Sequence, residues 1–460
     1  MYRRCTALAA LALVLASPVL GAPSRAYVIT TDFATGGMSA LNASTYAATN
    51  DVAAAHSDAR VRWFQDQVYV INRLGADNIH ILNGTTYAHV FQFSTGNGSN
   101  PADIALVSPS KAYITRYELS ALLVANPQTG ATITTISLAS FADADGIPEM
   151  DHMALWGPWL FVSVQRLNRN AGFTPTDRSE VVVIDTRTNQ VVDLDSGLPG
   201  VQGITLAAKN PVTAFALDRE GRRLLIGCAG AYGALDGAIV AIDPETHQSL
   251  GAVATETALG GEISDVEWYS ATRSFAIVSD LSFNTKLIRW NPTTGAATGT
   301  IFNPGGFSLP DCAVDGTGRL WLCHNDFTNP GVRVYSCDTD ALLSGPISTG
   351  LPPYQIAFDV LRPEVGVPVA TQDPELSAWP NPSRDRIRLA LGSGPRDIAR
   401  IAIFDPAGRR VRNLREGSMD SPALEWDLRD DLGARVSPGL YMLVVSTSSR
   451  THVRRITVLP

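Results

Sequence analysis

Short apolar runs, each bounded by polar or turn-forming residues, recur along roughly the first 360 residues of the chain. Many are β-branched or aromatic, as in Val68-Tyr69-Val70 and Ala112-Tyr113-Ile114. Runs of this length and composition predict short β-strands. Each is followed, after a loop, by a second apolar run such as Leu122 to Ala125. The pattern therefore predicts repeated antiparallel pairs of strands.

The second run of each repeat ends in a turn that starts with Asn or Asp and has Thr three residues later. The side chain of Asn or Asp can accept hydrogen bonds from the amides ahead of it, which favours a turn. The copies recur at intervals of roughly 40–60 residues, a spacing typical of propeller blades. Six copies begin at Asn42, Asn83, Asn126, Asp185, Asp243 and Asn291, and we predict a seventh at Asp338, where Ala341 replaces Thr.

A third apolar run, opened by a polar residue, precedes the other two in five repeats. It begins at Asp103, Asp151, Thr213, Asp265 and Asp311. The first repeat lacks it, but Tyr354 to Phe358 supplies an equivalent run at the far end of the array. If that segment returns to complete the first blade, the ring closes without an unpaired edge. We therefore predict an all-β fold with a seven-bladed β-propeller over residues 26–360.

The pattern changes after residue 360. Pro363, Pro368 and Pro374 indicate an extended Pro-rich linker over residues 361–378. Residues 379–460 then alternate apolar and polar positions, as in Ile401 to Phe404, which predicts a small Ig-like antiparallel β-sandwich.

The N-terminus and the composition bear on where the protein acts. Arg3 and Arg4 precede an apolar stretch and Leu20-Gly21-Ala22, so residues 1–22 are predicted to be a secretory signal peptide. No later run is long enough for a transmembrane segment. The formal net charge of −8 argues against a nucleic-acid partner. We expect a soluble exported protein that passes through the periplasm to the cell surface or the medium.

Four cysteines remain after the signal peptide: Cys228, Cys312, Cys323 and Cys337. Disulfides persist outside the cytoplasm, so a bridge from Cys312 to Cys323 or Cys337 is one interpretation. The other is that all four are small buried apolar residues.

Two family resemblances follow from these motifs. Ala112-Tyr113-Ile114-Thr115-Arg116 and Val183-Ile184-Asp185-Thr186 resemble the YVTN-type β-propeller repeat of exported and surface-layer proteins. Trp379-Pro380-Asn381-Pro382, Phe404 to Arg409, Trp426-Asp427 and Pro438 to Tyr441 resemble a C-terminal surface-sorting module and the Ig-like domain of flagellar hook-cap (FlgD) proteins. The second resemblance implies export or surface attachment, with the sorting machinery as the partner of residues 379–460.

In a propeller, the loops that follow the first run of each pair share one face with the loops that enter the inner strands, so residues distant in sequence can meet there. The ligand-binding candidates on this face are Asn72, Arg73, Arg116, Tyr117, Gln165, Arg166, Asp280, His324 and Asn325. Arg73, Arg116 and Arg166 could hold an anionic ligand or could form ion pairs between blades.

The acids that open the inner strands also have two interpretations. Asp103, Asp151, Asp265 and Asp311 could surround Ca²⁺ at the channel mouth, because hard cations prefer several carboxylate oxygens. Alternatively, each accepts hydrogen bonds from nearby backbone amides. No cofactor is firmly implied by the sequence, and Ca²⁺ is the candidate that these acids offer.

The motifs leave three hypotheses for function. The first is a non-catalytic exported propeller that binds a small molecule, a glycan or an envelope protein on its loop face. The second is a hydrolase such as a lactonase, in which a carboxylate and His324 or Arg116 would activate water at the axis. The third is a purely structural envelope protein. The sequence contains no Gly-x-Ser-x-Gly nucleophile motif and no Gly-rich phosphate-binding loop.

Overall fold

The computed structural model describes residues 22–360, 376–379, 383–391, 398–404, 410–416, 423–447 and 451–459. The chain divides into two compact units, Met1–Val367 and Pro368–Pro460. The predicted signal peptide up to residue 21 and the predicted linker from 361 to 375 lie outside the described residues.

The first unit is built from seven antiparallel sheets, numbered here in chain order. Sheet 1 contains Arg25–Thr31, Gly36–Asn42, Ala48–Ala55 and Pro353–Phe358; sheet 2 contains Arg60–Phe64, Gln67–Asn72, Asn78–Asn83 and His89–Ser94; sheet 3 contains Pro101–Ser108, Lys111–Arg116, Ala121–Ala125 and Thr132–Ser137; sheet 4 contains Met150–Trp156, Trp159–Val164, Glu180–Asp185, Gln190–Val191 and Ile204–Thr205. Sheet 5 contains Ala216–Asp218, Arg223–Cys228, Ala238–Asp243 and Gln248–Thr255; sheet 6 contains Glu262–Ser270, Arg273–Ser279, Thr285–Trp290 and Ala297–Phe302; sheet 7 contains Cys312–Val314, Arg319–His324, Gly331–Ser336 and Leu342–Ile347. Between the sheets lie a short hairpin (Leu167–Asn168 with Thr174–Pro175), two 3-10 helices (Ala139–Phe141 and Arg169–Ala171) and one α-helical turn (Glu256–Leu259).

The closing strand is confirmed. Pro353–Phe358 pairs antiparallel with Arg25–Thr31, and Phe358 lies opposite Ala26. Asp359 fixes this junction by accepting hydrogen bonds from the amides of Ser24 (2.8 Å) and Arg25 (3.0 Å). The inner strand of sheet 1 is therefore Pro353–Phe358, which comes more than 300 residues after its neighbour Arg25–Thr31.

A separate hydrophobic cluster fills each boundary between neighbouring sheets. Sheets 1 and 2, for example, bury Ile29 and Val61 together, and sheets 7 and 1 bury Trp321 and Phe358 together. Clusters of the same kind join every other consecutive pair. Since sheet 7 packs on sheet 1, the sheets form a closed ring, and burial of apolar area at each boundary stabilises it.

The up-and-down order of the strands gives the ring two faces. The loops after the second strands lie on one face, which we call the loop face. The turns after the third strands lie on the other, which we call the turn face. The innermost strands run from the loop face to the turn face and line the axis.

The predicted turns form as expected in six sheets. The side chain of Asn42, for instance, accepts hydrogen bonds from the amides of Ser44 and Thr45, at 2.9 and 2.8 Å. The other five leading residues accept amides in the same way.

Two local predictions need correction. The seventh turn begins at Ser336, not Asp338: the Ser336 hydroxyl accepts the amide of Thr339 at 3.3 Å, and the Ser336 carbonyl accepts that of Asp340. Thr therefore stands three residues after the leading residue here too. In sheet 5 the inner strand is Ala216–Asp218, because the segment from Thr213 pairs irregularly with the strand beside it.

The second unit contains two antiparallel sheets, as the predicted sandwich requires. One has the strands Leu376–Trp379, Ile387–Leu391 and Ala423–Trp426; the other has Ile398–Phe404, Arg410–Glu416, Gly439–Thr447 and Thr451–Val458. Trp426 and Ile387 of the first sheet share a core with Ile403 and Leu443 of the second. The strand at Leu376 starts inside the predicted linker, and residues 380–382 and 405–409 of the sorting motifs lie outside the described residues.

All four described cysteines are buried free thiols. Cys312 packs between sheets 6 and 7, whereas Cys323 packs between sheets 7 and 1, so these two lie on opposite sides of their sheet. Burial raises the pKa of each thiol. Within the residues that the structure describes, no helix is long and apolar enough to cross a membrane.

Candidate binding site on the loop face

The inner strands are joined to one another by side chains that accept backbone amides. An inner strand leaves the N–H groups along its axial edge without partners in its own sheet, and an acceptor from the preceding sheet can satisfy them. Four of these bonds occupy equivalent positions: Gln355 to the amide of Val61 (2.8 Å), Asp103 to Met153 (3.0 Å), Asp265 to Cys312 (2.8 Å) and Asp311 to Ile356 (2.9 Å).

These hydrogen bonds favour the second interpretation of the four acids, in which they accept backbone amides. Asp103 and Asp265 also accept the amide of the next residue in their own strand, and Asp151 pairs with Arg60 at 2.6 Å. Across the described residues, no three His, Cys, Asp or Glu side chains gather as a metal site would require. Asp103, Asp265 and Asp311 instead connect neighbouring sheets by accepting backbone amides, and Asp151 connects sheet 4 to sheet 2 through Arg60.

A compact charge network occupies the axis below the loop face. Arg60 contacts Asp151 across sheets 2 and 4, and Arg62 contacts Asp103 at 2.9 Å. His152 lies between the two carboxylates, 3.7 Å from Asp151 and 3.8 Å from Asp103. Burial alone would raise the pKa of Asp103, but Arg62 and His152 hold it well below its usual range. The carboxylates of Asp103 and Asp151 are thus each paired with an arginine.

Arg73 extends this network towards the loop face. Its Nη1 lies 3.0 Å from Asp58 Oδ2, while its buried Nε has no hydrogen-bond partner. Burial, together with the positive charge of Arg60, lowers the pKa of Arg73. The adjacent Asn72 has a structural role, because its Oδ1 accepts the amide of His56 at 2.8 Å.

Tyr117 and Gln165 also meet near the axis. The Tyr117 hydroxyl donates to Gln165 Oε1 at 2.7 Å, and Gln165 Nε2 donates to the carbonyl of Pro211 at 3.0 Å. These two bonds connect sheets 3, 4 and 5. The negative charges of Asp151 and Glu149 act on the Tyr117 hydroxyl, so this pair borders the charge network.

The long insertion in sheet 4 is fixed by its own ion pairs. Arg166 contacts Asp177 at 3.0 Å and Glu180 at 3.4 Å. Glu149 accepts hydrogen bonds from the amide of Leu167 (3.0 Å) and from Arg169 (2.7 Å). Burial raises the pKa of Glu149 to about 7, although both of these donors favour its ionised form.

The remaining candidates do not converge on the axis. Arg116 donates to the carbonyl of Ala121 in its own sheet at 2.8 Å. His324 is buried against Phe302, with ring centroids 5.3 Å apart, and lies 3.5 Å from Arg333. Of the two groups considered for water activation, Arg116 thus bonds within sheet 3, and His324 packs at the boundary of sheets 6 and 7.

Asp280 and Asn325 belong to the loops of sheets 6 and 7. Asp280 accepts the amides of Ser282 (2.8 Å) and Asn284 (3.0 Å) within its own loop. The Asn325 amide donates to the carbonyl of Ser308 at 2.9 Å. Both contacts shape the loops that contain them.

The feature that sequence reasoning missed is a ring of exposed apolar side chains at the loop tips. Six of the seven loops carry at least one such side chain. These side chains are 46–64% exposed in five of the loops, and Phe327 in the sixth is 67% exposed. We call this set the apolar rim: Phe33, Leu74, Phe173, Tyr232, Leu281, Phe283 and Phe327. Sheet 3 has the half-buried Tyr117 in the equivalent loop. The sequence signal for this set is a single apolar residue among turn-forming residues, and it recurs in nearly every loop.

Two solved structures illustrate the fold to which this chain is similar. A protein of unknown function from Desulfotomaculum acetoxidans aligns with a TM-score of 0.50 at 13% identity, covering 72% of this chain and 98% of that one. A candidate 6-phosphogluconolactonase from Bacteroides uniformis aligns with a TM-score of 0.52 at 13% identity, covering 73% of this chain and 98% of that one. At this identity the likeness shows the fold alone. No curated protein is similar to the chain in sequence.

The C-terminal unit is matched at the level of sequence. Residues 377–459 match the family described as the secretion system C-terminal sorting domain. This family supports the predicted contact with the sorting machinery and places the protein at the cell surface or in the extracellular space. The chain is therefore an exported β-propeller protein that carries a secretion system C-terminal sorting domain.

Proposed function

We propose that the protein is an exported seven-bladed propeller of the YVTN type that binds another protein through the apolar rim of its loop face. The observation that carries the proposal is the exposure of Phe, Leu or Tyr at six of seven loop tips. Scattered surface apolar residues are ordinary, but a set repeated on one face is typical of an interaction surface.

The chemistry of the rim favours a protein over the other ligands considered. Leu74 and Leu281 are aliphatic, and neither can form the aromatic stacking that sugars use. Phe327 and Phe283 are large anchors of the kind that fill pockets on a partner protein. The polar centre inside the rim is occupied by its own ion pairs, Arg60 with Asp151 and Arg73 with Asp58. A small polar ligand would have to break those pairs.

A crosslinking experiment tests this proposal. A photoreactive amino acid would replace Phe33, Phe283 or Phe327 in cells that export the protein. Matched controls would carry it at Val90, Ile133 or Leu250, which are 46–51% exposed on outermost strands. We expect a discrete protein adduct from the rim positions and not from the controls.

Equal adducts from both sets of positions, or none from the rim, would refute a protein partner. Binding of a purified glycan that is lost in a Phe283→Ser, Phe327→Ser double variant would identify a different partner class. Because both residues are more than half exposed, the double variant should keep the melting temperature of the parent protein.

A further inference from the structure

A cavity of ≈160 Å³ lies on the axis at the turn face, at the opposite end of the ring from the apolar rim. Residues from six of the seven sheets line it, and they belong to the inner strands or to segments next to them. The sequence pointed to the loop face for ligand binding, so this opening is a separate feature of the fold.

Apolar side chains form most of the cavity wall. Met153, Phe215, Leu217, Val314 and Phe358 come from four different sheets or their adjoining segments. A cavity of about 150 Å³ lined by such residues accommodates a molecule the size of benzene. The size therefore sets an upper limit of a single small ring or a short branched chain.

Two hydrogen-bond donors border the cavity, one of them buried and the other exposed. Trp268 Nε1 is buried and has no acceptor, which is costly for an indole N–H. Arg219 also lines the cavity, but its side chain is exposed, and within the described part of the chain it has no salt bridge. Both side chains line the cavity, and they come from neighbouring sheets.

The other charged groups of the wall are engaged. Arg62 contacts Asp103 at 2.9 Å. Asp315 accepts from Arg319 Nε at 2.6 Å and from Trp321 Nε1 at 3.0 Å. Glu267 acts electrostatically on Arg219 and accepts the amide of Val314 at 3.4 Å. Trp268 Nε1 is thus the buried donor of the wall that has no acceptor, and Arg219 is the exposed cation beside it.

We propose that this cavity binds a small carboxylate with a compact apolar body. The carboxylate would accept from the Arg219 guanidinium and the Trp268 indole, and the body would contact Phe215 and Phe358. Hydrogen bonds between ionised groups are the stronger ones, so Arg219 supplies most of the selectivity for an anion. The site is independent of the partner surface on the loop face.

Calorimetric titration of the mature protein with three benzene derivatives tests the site. Benzoate carries the required charge, benzyl alcohol is neutral and benzylamine is a cation of similar size. We expect benzoate to bind most tightly, and Arg219→Gln to weaken it by roughly tenfold while benzyl alcohol changes little. Trp268→Phe keeps an aromatic wall but removes the N–H, so it should weaken benzoate by a smaller factor.

The matched control is Arg222→Gln, which removes an exposed arginine that pairs with Glu245 on the outside of sheet 5. It should leave benzoate binding unchanged. Equal binding of benzoate and benzylamine would overturn the proposal, as would no benzoate binding at millimolar concentration. Full binding in Arg219→Gln would do the same. If Arg219→Gln lowers the melting temperature, Trp268→Phe decides the question alone.

Discussion

The carboxylate of Asp311 accepts the backbone N–H of Ile356 at 2.9 Å, and this bond joins sheet 7 to the strand that closes the ring. Asp103 and Asp265 form the same bond to the next sheet at their own boundaries. The repeat thus encodes an acceptor for an N–H that no strand would otherwise pair. Polar residues at the axis therefore hold neighbouring sheets together, in addition to forming the charge network.

Replacing Asp311 by Ala should lower the free energy of unfolding by about 1–3 kcal/mol, because the Ile356 amide loses its acceptor inside a packed boundary. Asp311→Asn should cost less, since its amide oxygen can still accept. Asp326→Ala is the control, because Asp326 accepts an amide only within an exposed loop of the same sheet. Urea denaturation measures all three, and an equal loss in Asp311→Ala and Asp326→Ala would contradict the role.

Tyr27 provides a second bond between sheets, on the turn face. Its buried hydroxyl donates to the carbonyl of Gly84 at 2.7 Å, connecting sheet 1 to the turn of sheet 2. Tyr27→Phe should therefore destabilise the protein by about 1 kcal/mol. Tyr232→Phe, at a side chain 64% exposed on the loop face, should be neutral in the same denaturation experiment. A neutral Tyr27→Phe would show that water replaces the lost donor.

The parts of the fold that could be predicted are those that repeat. Asn42 and Asn291 shape their turns through their own neighbours, so local chemistry identifies both positions. The closing strand was predictable because the first repeat lacks an inner strand and Tyr354 to Phe358 supplies one. The seventh turn was predicted at the wrong residue because Ser336, and not Asn or Asp, accepts the turn amide there. A search for Asn or Asp does not find it.

The site was harder to predict, for a physical reason. Arg60 reaches Asp151 across two sheet boundaries, and that contact depends on how far each inner strand lies from the axis. His324 looked like a catalytic group by residue type, but its side chain is buried at the boundary with sheet 6, against Phe302. Single-sequence patterns predict which face a loop lies on, but not which side chains meet there.

The turn at Ser336 offers a test of the repeat itself. Ser336→Asn should maintain or raise stability, because Asn accepts the amides ahead of it in four of the other turns. Ser336→Ala should cost about 1 kcal/mol, since the Thr339 amide loses its side-chain acceptor. Thermal unfolding of the two variants gives the comparison. A stabilising Ser336→Ala would be inconsistent with the corrected position of the turn.

Buried glutamates make stability depend on pH. Burial raises the pKa of Glu149 and of Glu256 from 4.5 to about 7. The folded protein therefore holds these protons more tightly than the unfolded chain does. The resulting stabilisation is fully present below pH 4.5 and is lost as the pH rises through 7, by up to about 3 kcal/mol per group.

The measurement must separate these glutamates from histidines of opposite effect. Burial lowers the pKa of His80, His247 and His324, so their contribution to stability grows as the pH rises towards 6.5. Denaturation of the parent protein and of Glu256→Gln between about pH 5 and pH 8 isolates one glutamate. We expect the variant to gain stability relative to the parent as the pH rises. Parallel pH profiles would rule out the raised pKa.

Removing residues 368–460 should separate export from folding. Among the described residues, the clusters between the seven sheets consist of residues of the first unit, so this unit should unfold at an unchanged temperature. Without the sorting domain it should stay in the periplasm, since the domain that directs it onward is missing.

Trp426→Ala provides the matched control: it removes a fully buried side chain from the sandwich core and should reduce export while leaving the propeller intact. Cell fractionation and circular dichroism measure the two effects, and a truncated protein that reaches the surface would show that export does not depend on this domain.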